Sequence, residues 1–164
     1  MDVQLIIYHD EKDIILSLIR QFWLIHNQYD QSIEEAYEDL KSWTKEGHCL
    51  YLIQYQKQFV GFVHLGNRGC QIDWLEDIFV LPEFQGKGIG TKAIQLVENI
   101  VKTYSESLYI EVAMKNEKAL HLYHKIGYDC LNTITIRKDF NRDDYIKINQ
   151  EKVFDMEFDI KKYK

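Results

Sequence analysis

The order of elements along this 164-residue chain predicts an α/β (α+β) domain, in which helices pack on a mixed sheet. Three observations favour this class. Two helical patterns follow the first strand pattern, three strand patterns follow those helices, and helices and strands then alternate to the end, in the order β-α-α-β-β-β-α-β-α-β-β. Because the chain has one Pro and no linker, repeat or low-complexity tract, we expect residues 1–164 to form a single domain.

The first half of the chain supplies four strands and two helices. Apolar residues recur at helical spacing from Ile15 to Ile25 and again from Ile33 to Trp43. Gln56-Lys57-Gln58 has the length of a hairpin connection between the second and third strands. The predicted strands are 3–8, 49–55, 59–65 and 72–81.

The second half begins with the clearest helical stripe of the chain, from Ile89 to Tyr104. A shorter helix around Tyr123 ends at Gly127, a plausible C-cap. Strands are predicted at 108–113, 131–136 and 153–160, and a polar connection at 137–151 joins the last two.

Composition excludes several classes of function. Hydrophobic residues make up 46% and charged residues 28%, which is typical of a globular protein in water. The net charge of −6 argues against nucleic-acid binding and suits a cationic substrate. No basic, apolar leader and no run of about 18 apolar residues is present, so we expect a cytoplasmic protein with no membrane contact. Neither the three cysteines nor the six histidines have metal-ligand spacing, so we expect no metal.

A glycine-rich turn stands between the fourth strand and the long helix. Gly86, Gly88 and Gly90 let the backbone approach a ligand closely, and the helix N-terminus offers free N–H groups to a phosphate. Thr91 after Gly90 departs from the dinucleotide-binding fingerprint, and Gly90-Thr91-Lys92 has the wrong order for a P-loop.

The segment Gln85-Gly86-Lys87-Gly88-Ile89-Gly90 resembles the Gln/Arg-x-x-Gly-x-Gly/Ala loop of the GCN5-related N-acetyltransferase (GNAT) family. Val80-x-Pro82 before it matches the end of the preceding strand. Asn116, Ala119, Tyr123 and Gly127-Tyr128 match a downstream segment of the family. The element order also agrees, so the resemblance covers nearly the whole chain. It implies a mixed, mostly antiparallel seven-stranded sheet with helices on both faces and with strands 4 and 5 splayed.

The resemblance also implies the co-substrate, acetyl-CoA. Ile78, Phe79 and Val80 would pair with its pantetheine arm, and Asn116 and Ala119 would contact it near the next helix. The pyrophosphate would lie on the turn and on the first N–H groups of the helix, which are those of Gln85, Gly86, Lys87, Gly88, Ile89, Gly90 and Thr91.

Acetyl transfer to an amine needs a base for the ammonium and an acid for the leaving thiolate. Tyr123 stands where the family often places the acid. Leu75-Glu76-Asp77 resembles the polyamine acetyltransferases, which makes Glu76 the favoured base. Glu111 before Val112 resembles the acetyltransferases of ribosomal-protein N-termini and is the second candidate; a water chain without a dedicated base is the third.

The acceptor is expected to be a primary amine, attacked directly in a ternary complex, since no cysteine falls on a matched catalytic position. An acidic segment at 30–46 fits a polycation such as a polyamine or an aminoglycoside, with Glu34, Glu38 and Asp77 as substrate-binding residues, and equally fits a solvated helix face. The alternatives are a protein N-terminal or lysine acetyltransferase and a non-catalytic acyl-CoA sensor. The family often forms homodimers.

Overall fold

The computed structural model describes residues 2–164, which contain seven strands and four helices in the predicted order but with the last two strands at other positions than predicted. The chain forms two compact units, Met1–Glu111 and Val112–Lys164. The prediction of a single domain, 1–164, stays a prediction.

The first unit is built on a five-stranded sheet with the strand order β1-β2-β3-β4-β5. The pairs from β1 to β4 are antiparallel, and β4 pairs with β5 in parallel. The sheet is therefore mixed and mostly antiparallel, as predicted. Its elements are β1 (Val3–Ile7), α1 (Lys12–Asn27), α2 (Ile33–Trp43), β2 (His48–Tyr55), β3 (Gln58–Gly66), β4 (Trp74–Val80), α3 (Ile89–Val101) and β5 (Tyr109–Ile110).

Helices cover both faces of this sheet. α1 and α2 bury their apolar stripes in one core with sheet residues that include Phe62 and Phe79. α2 begins with a capping box, in which the Glu35 N–H donates to Ser32 Oγ at 3.2 Å and the Ser32 N–H donates to Glu35 Oε2 at 2.8 Å. α3 packs on the opposite face, where Val80, the neighbour of Phe79, points.

Strands β4 and β5 separate after a short contact. Their pairing consists of Trp74 with Tyr109 and Leu75 with Ile110, whereas β4 continues to Val80. The predicted splay is confirmed, and it shortens β5 relative to the expected strand at 108–113 because the residues after Ile110 have no partner strand.

Close contact between β3 and β4 depends on one glycine. A Cβ added at Gly61 would lie 2.0 Å from the carbonyl oxygen of Phe79, far inside van der Waals contact. Gly61 therefore lets β4 pair closely with β3 in the part of β4 that has already separated from β5.

The second unit contains α4 (Glu117–Lys125), β6 (Tyr145–Val153) and β7 (Met156–Tyr163), and its two strands form a sheet of their own. The seven predicted strands thus divide between two sheets instead of forming one. The strand predicted at 131–136 is wrong, since these residues pair with no strand among residues 2–164 and Leu131 is 82% exposed.

The predicted strand at 153–160 is also wrong in its bounds, because a turn interrupts it. Phe154 and Asp155 have positive φ angles of 48° and 66°, and they reverse the chain between β6 and β7. The segment 137–151, predicted as a connection, instead supplies most of β6. Asp tolerates the left-handed region, but a Phe before it gives no turn signal in the sequence.

Candidate active site

The glycine-rich turn has the conformation that its sequence requires. Gly86 and Gly88 have φ angles of 71° and 79°, and Gly88 is the N-cap of α3. The first α-helical bond runs from the Lys92 N–H to the Gly88 carbonyl at 3.0 Å. The N–H groups of Ile89, Gly90 and Thr91 therefore have no partner one turn earlier and are suited to bind a phosphate.

Gln85 fastens this turn to the end of β4. Its side-chain amide donates to the Val80 carbonyl at 2.7 Å, while Lys87 remains exposed with its ammonium 5.1 Å from the centre of the Phe84 ring. Because β5 leaves β4 after Leu75, the backbone edge of Ile78–Val80 that faces β5 has no strand beside it in this unit. The predicted cofactor residues from Ile78 to Thr91 thus lie along one strand edge and one helix N-terminus.

Glu76 is the extra residue of a β-bulge in β4. His64 pairs with Asp77 and Leu65 pairs with Leu75, so that Glu76 has no partner on β3. Its side chain lies over Gly66, where an added Cβ would be 2.8 Å from both Cγ and Oε1 of Glu76. The bulge and the missing side chain at Gly66 together aim this carboxylate along the sheet face that α2 covers.

Both predicted bases contact the same arginine, which sequence reasoning missed. Arg68 donates from Nε to Glu76 at 2.9 Å and from Nη2 to the second oxygen of that carboxylate, and its Nη1 donates to Glu111. Its guanidinium lies 4.1 Å from the Trp74 ring centre, and Trp74 stacks on Tyr109 at 5.0 Å. These five residues are called the Arg68 cluster below.

The two carboxylates, Glu76 first, hold the pKa of Arg68 above its usual value. Glu76 is 18% exposed and Glu111 is 60% exposed, so Glu76 is the more sheltered partner. In the sequence, Arg68 is one cation in a turn between glycines, and nothing there indicates that it meets carboxylates 8 and 43 residues away.

Asp77, the third acidic residue predicted here, pairs with histidines instead of with Arg68. Its Oδ2 lies 2.9 Å from Nδ1 of His64, and Nε2 of His64 lies 2.8 Å from Nδ1 of His48. His64 is 3% exposed and stacks on Trp43 of α2 at 4.8 Å. The spacing of these histidines in the sequence shows no pattern, because β2, β3 and β4 bring them together only when the sheet forms.

Three predicted site residues belong to the second unit. Asn116 is the N-cap of α4, and its Oδ1 accepts from the Ala119 N–H at 3.3 Å. Tyr123 is half-buried on α4, with its ring centre 6.0 Å from that of Tyr128. Burial raises the pKa of the Tyr123 phenol, so it keeps its proton at neutral pH and is able to act as an acid.

The acidic segment 30–46 is partly committed to contacts within the first unit. Asp39 accepts from the Trp23 indole at 2.7 Å and from Gln31 at 2.6 Å, and Glu38 pairs with Lys41 at 2.9 Å. Glu34 and Glu38 lie exposed on α2. Their role in substrate binding stays a prediction.

Two further properties concern residues 2–164 only. No helix there combines the length and the apolar character needed to cross a membrane. In the same range, no group of three or more His, Cys, Asp or Glu side chains has the arrangement of a metal site.

Known proteins are similar to this chain in sequence and in fold. Residues 15–128 match the sequence model of the Acetyltransferase (GNAT) family. Spermine/spermidine N(1)-acetyltransferase of Bacillus subtilis (strain 168) is 26% identical over 114 residues, which cover 61% of this chain and 70% of the relative. Spermidine N(1)-acetyltransferase of Escherichia coli (strain K12) is 40% identical over 55 residues, which cover 31% of this chain and 28% of that relative. The match thus spans less than a third of the Escherichia coli protein.

Among solved structures, the aminoglycoside N-acetyltransferase AAC(6')-Iy in complex with CoA superposes with a TM-score of 0.65. Its sequence is 15% identical, and the match covers 84% of this chain and 95% of that one. At this identity the likeness establishes the fold and not the substrate.

Proposed function

We propose that this chain, which belongs to the Acetyltransferase (GNAT) family, transfers the acetyl group of acetyl-CoA to a primary amine of a small polycation. The acceptor class is that of the polyamines and aminoglycosides. The Arg68 cluster is the observation that carries this proposal.

The Arg68 cluster is a cation site already filled by a cation of the protein itself. Two carboxylates and the face of Trp74 surround one guanidinium, and an alkyl-ammonium uses the same partners through charge and cation–π attraction. Arg68 is 39% exposed and comes from the turn after β3, so a multiply charged amine is able to compete with it for Glu76 and Glu111. A neutral acceptor would lack the charge and cation–π attraction to these partners.

The relatives support the same class of acceptor. Their names record acetylation of spermidine and spermine. The Leu75-Glu76-Asp77 segment of this chain resembles polyamine acetyltransferases as well. The net charge of −6 further favours the approach of a polycation.

The first unit also supplies the elements that acetyl-CoA requires. When bound, acetyl-CoA presents an activated acetyl thioester. The N–H groups from Gly86 to Thr91 would hold its pyrophosphate, and the free edge of Ile78, Phe79 and Val80 would hold its pantetheine arm. The resemblance to the family implies that Asn116 and Ala119 also contact acetyl-CoA, and this assignment stays a proposal.

Direct transfer in the ternary complex requires two proton movements. Glu76 is proposed as the first acceptor of the proton that leaves the substrate ammonium. Glu111 is proposed as the second carboxylate that contacts this ammonium. Tyr123 is proposed to protonate the leaving thiolate of CoA, for which its buried, protonated phenol is suited.

A thiol-release assay over a panel of acceptors tests the proposal. We expect turnover with spermidine, spermine or an aminoglycoside, and much less with a monoamine of the same chain length, which serves as the matched control for charge. Preference for a peptide N-terminus or a peptide lysine would contradict the acceptor class. Tight acetyl-CoA binding without turnover of any amine would instead indicate an acyl-CoA sensor.

A further inference from the structure

The two carboxylates at the proposed acceptor site are poor final acceptors for a proton. Glu76 and Glu111 both bind Arg68, and a carboxylate is in general a weaker base than an imidazole. The proton therefore needs a further acceptor close to Glu76.

His48 is next to Glu76 across Gly66. The backbone pairing places His48 of β2 directly opposite Gly66 of β3, so their Cα atoms are about 5 Å apart and their side-chain positions share one face. Gly66 contributes no side chain, and the Glu76 side chain occupies that space. On three neighbouring strands, His48 lies opposite Gly66 and Gly66 lies opposite Trp74. The half-buried His48 imidazole is therefore next to the space over Gly66 that the Glu76 side chain occupies.

Hydrogen bonding determines which nitrogen of His48 is free. The Asp77 carboxylate only accepts, so the proton of a neutral His64 lies on Nδ1. In this tautomer His64 Nε2 is an acceptor, and the 2.8 Å contact is satisfied when His48 donates to it from Nδ1, between rings inclined by only 17°. The lone pair of His48 therefore lies on Nε2, away from the chain of hydrogen bonds, where a base requires it.

We propose that His48 Nε2 is the terminal acceptor of the proton that leaves the substrate ammonium, and that His64 and Asp77 are positioning residues that hold it in this tautomer. The inference rests on the proposed amine acceptor. An N–H bond of the ammonium breaks, the proton passes to Nε2 directly or through Glu76, and the resulting imidazolium releases it to water. Asp77 stabilises that imidazolium through His64, and the amine keeps the electron pair with which it attacks the thioester.

The charged groups around the chain suit this role. Burial is the main cause that lowers the pKa of His48, with His64 and Lys45 adding to the effect and Glu76 opposing it, so His48 is neutral at pH 7. From α1, His26 faces Asp77, and burial lowers its pKa as well. From α2, the Trp43 ring covers His64 and carries no charge.

Nitrogen-15 NMR of the imidazoles tests the positioning without any substrate. At neutral pH, we expect both His64 and His48 of the free wild-type protein to carry their protons on Nδ1. Asp77→Asn removes the negative charge that stabilises the His48 imidazolium, so His48 should titrate at lower pH in this variant. His48 with its proton on Nε2 in the wild type would overturn the proposal, even if the enzyme acetylates spermidine.

Kinetics with acetyl-CoA and spermidine test the catalytic role. We expect His48→Gln to lower kcat by about 10²-fold or more and to abolish the acid limb of the pH profile, while acetyl-CoA affinity is unchanged. His9→Gln, at an exposed histidine, is the matched control and should leave both unchanged. His48→Ala should regain activity with added imidazole, which a purely structural role would not produce.

Two kinetic outcomes would overturn the proposal. One is a folded His48→Gln variant with the wild-type rate and acid limb; the other is no rescue of His48→Ala by imidazole. If no amine is acetylated by the wild type while the NMR tautomers are as expected, then the proposed acceptor fails, and with it the assignment of His48 as the acceptor of that amine's proton. The positions of the protons on His48 and His64 would then remain as a measured property of the fold.

Discussion

Arg68→Met should improve the affinity for a polycationic acceptor. Arg68 occupies the partners that the proposed substrate needs, so every bound amine must first displace its guanidinium. Methionine keeps an unbranched chain over Trp74 but removes the charge and the donors. We therefore expect a lower KM for spermidine in this variant.

The magnitude follows from the contacts that the amine replaces. The two-pronged pair with Glu76 is partly sheltered and contributes about 1 kcal/mol, the exposed pair with Glu111 a few tenths, and the Trp74 face about 0.5–1 kcal/mol. Displacement therefore costs about 2 kcal/mol in total, and its removal should lower KM about 15- to 50-fold, since 1.4 kcal/mol is a factor of ten.

Steady-state thiol release at two salt concentrations measures this effect. The gain should shrink at high salt, because exposed charges are screened over about 8 Å at physiological ionic strength. Arg142→Met, in the short turn before β6, is the control for a lost surface charge and should leave KM unchanged. The equal-length monoamine, with a single charge, should gain less than spermidine.

A raised KM in Arg68→Met would refute the reasoning. It would mean that Arg68 positions Glu76 and Glu111 for the substrate instead of competing with it. An unchanged KM at low salt would show that the acceptor does not use these carboxylates at all.

Three further substitutions test the site and its support. Gly88→Val should weaken acetyl-CoA binding at least tenfold by calorimetry, because a side chain at φ 79° costs about 1–2 kcal/mol and moves the N–H groups; Gly69→Val, where an added Cβ meets open space, should bind normally. Tyr123→Phe should lower kcat by about 10²-fold with the fold intact, and a wild-type rate in the variant would make Tyr123 a packing residue. Because burial raises the pKa of this phenol, the contribution of Tyr123 to the wild-type rate should persist up to that raised pKa and disappear only above it. Gly61→Ala should reduce the free energy of unfolding by about 1–3 kcal/mol in urea titrations, because the new Cβ meets the Phe79 carbonyl at 2.0 Å; Gly69→Ala should not, and equal stability of the two would contradict the close contact of β3 and β4.

Much of the first unit could be predicted from local patterns. α1, α2 and α3 bury most of the apolar stripes that their periodicity indicates, although Ile25, Ile33 and Tyr37 are exposed. The turn at Gly86 and Gly88 has the left-handed angles that its glycines favour. The second unit was predicted less well. Leu131 and Phe154 are apolar but 82% and 87% exposed, so the rule that apolar runs form buried strands fails there.

The sequence by itself determined the elements of the first unit, the glycine-rich turn and the family, because each depends on residues that are close together in the chain. Only the tertiary structure decided what the acidic residues contact. Arg68 joins Glu76 to Glu111, and Asp77 reaches His48 through His64, because strand pairing and the bulge at Glu76 choose neighbours across the sheet. A pairing register is a property of several strands at once, so no single segment of the chain contains it.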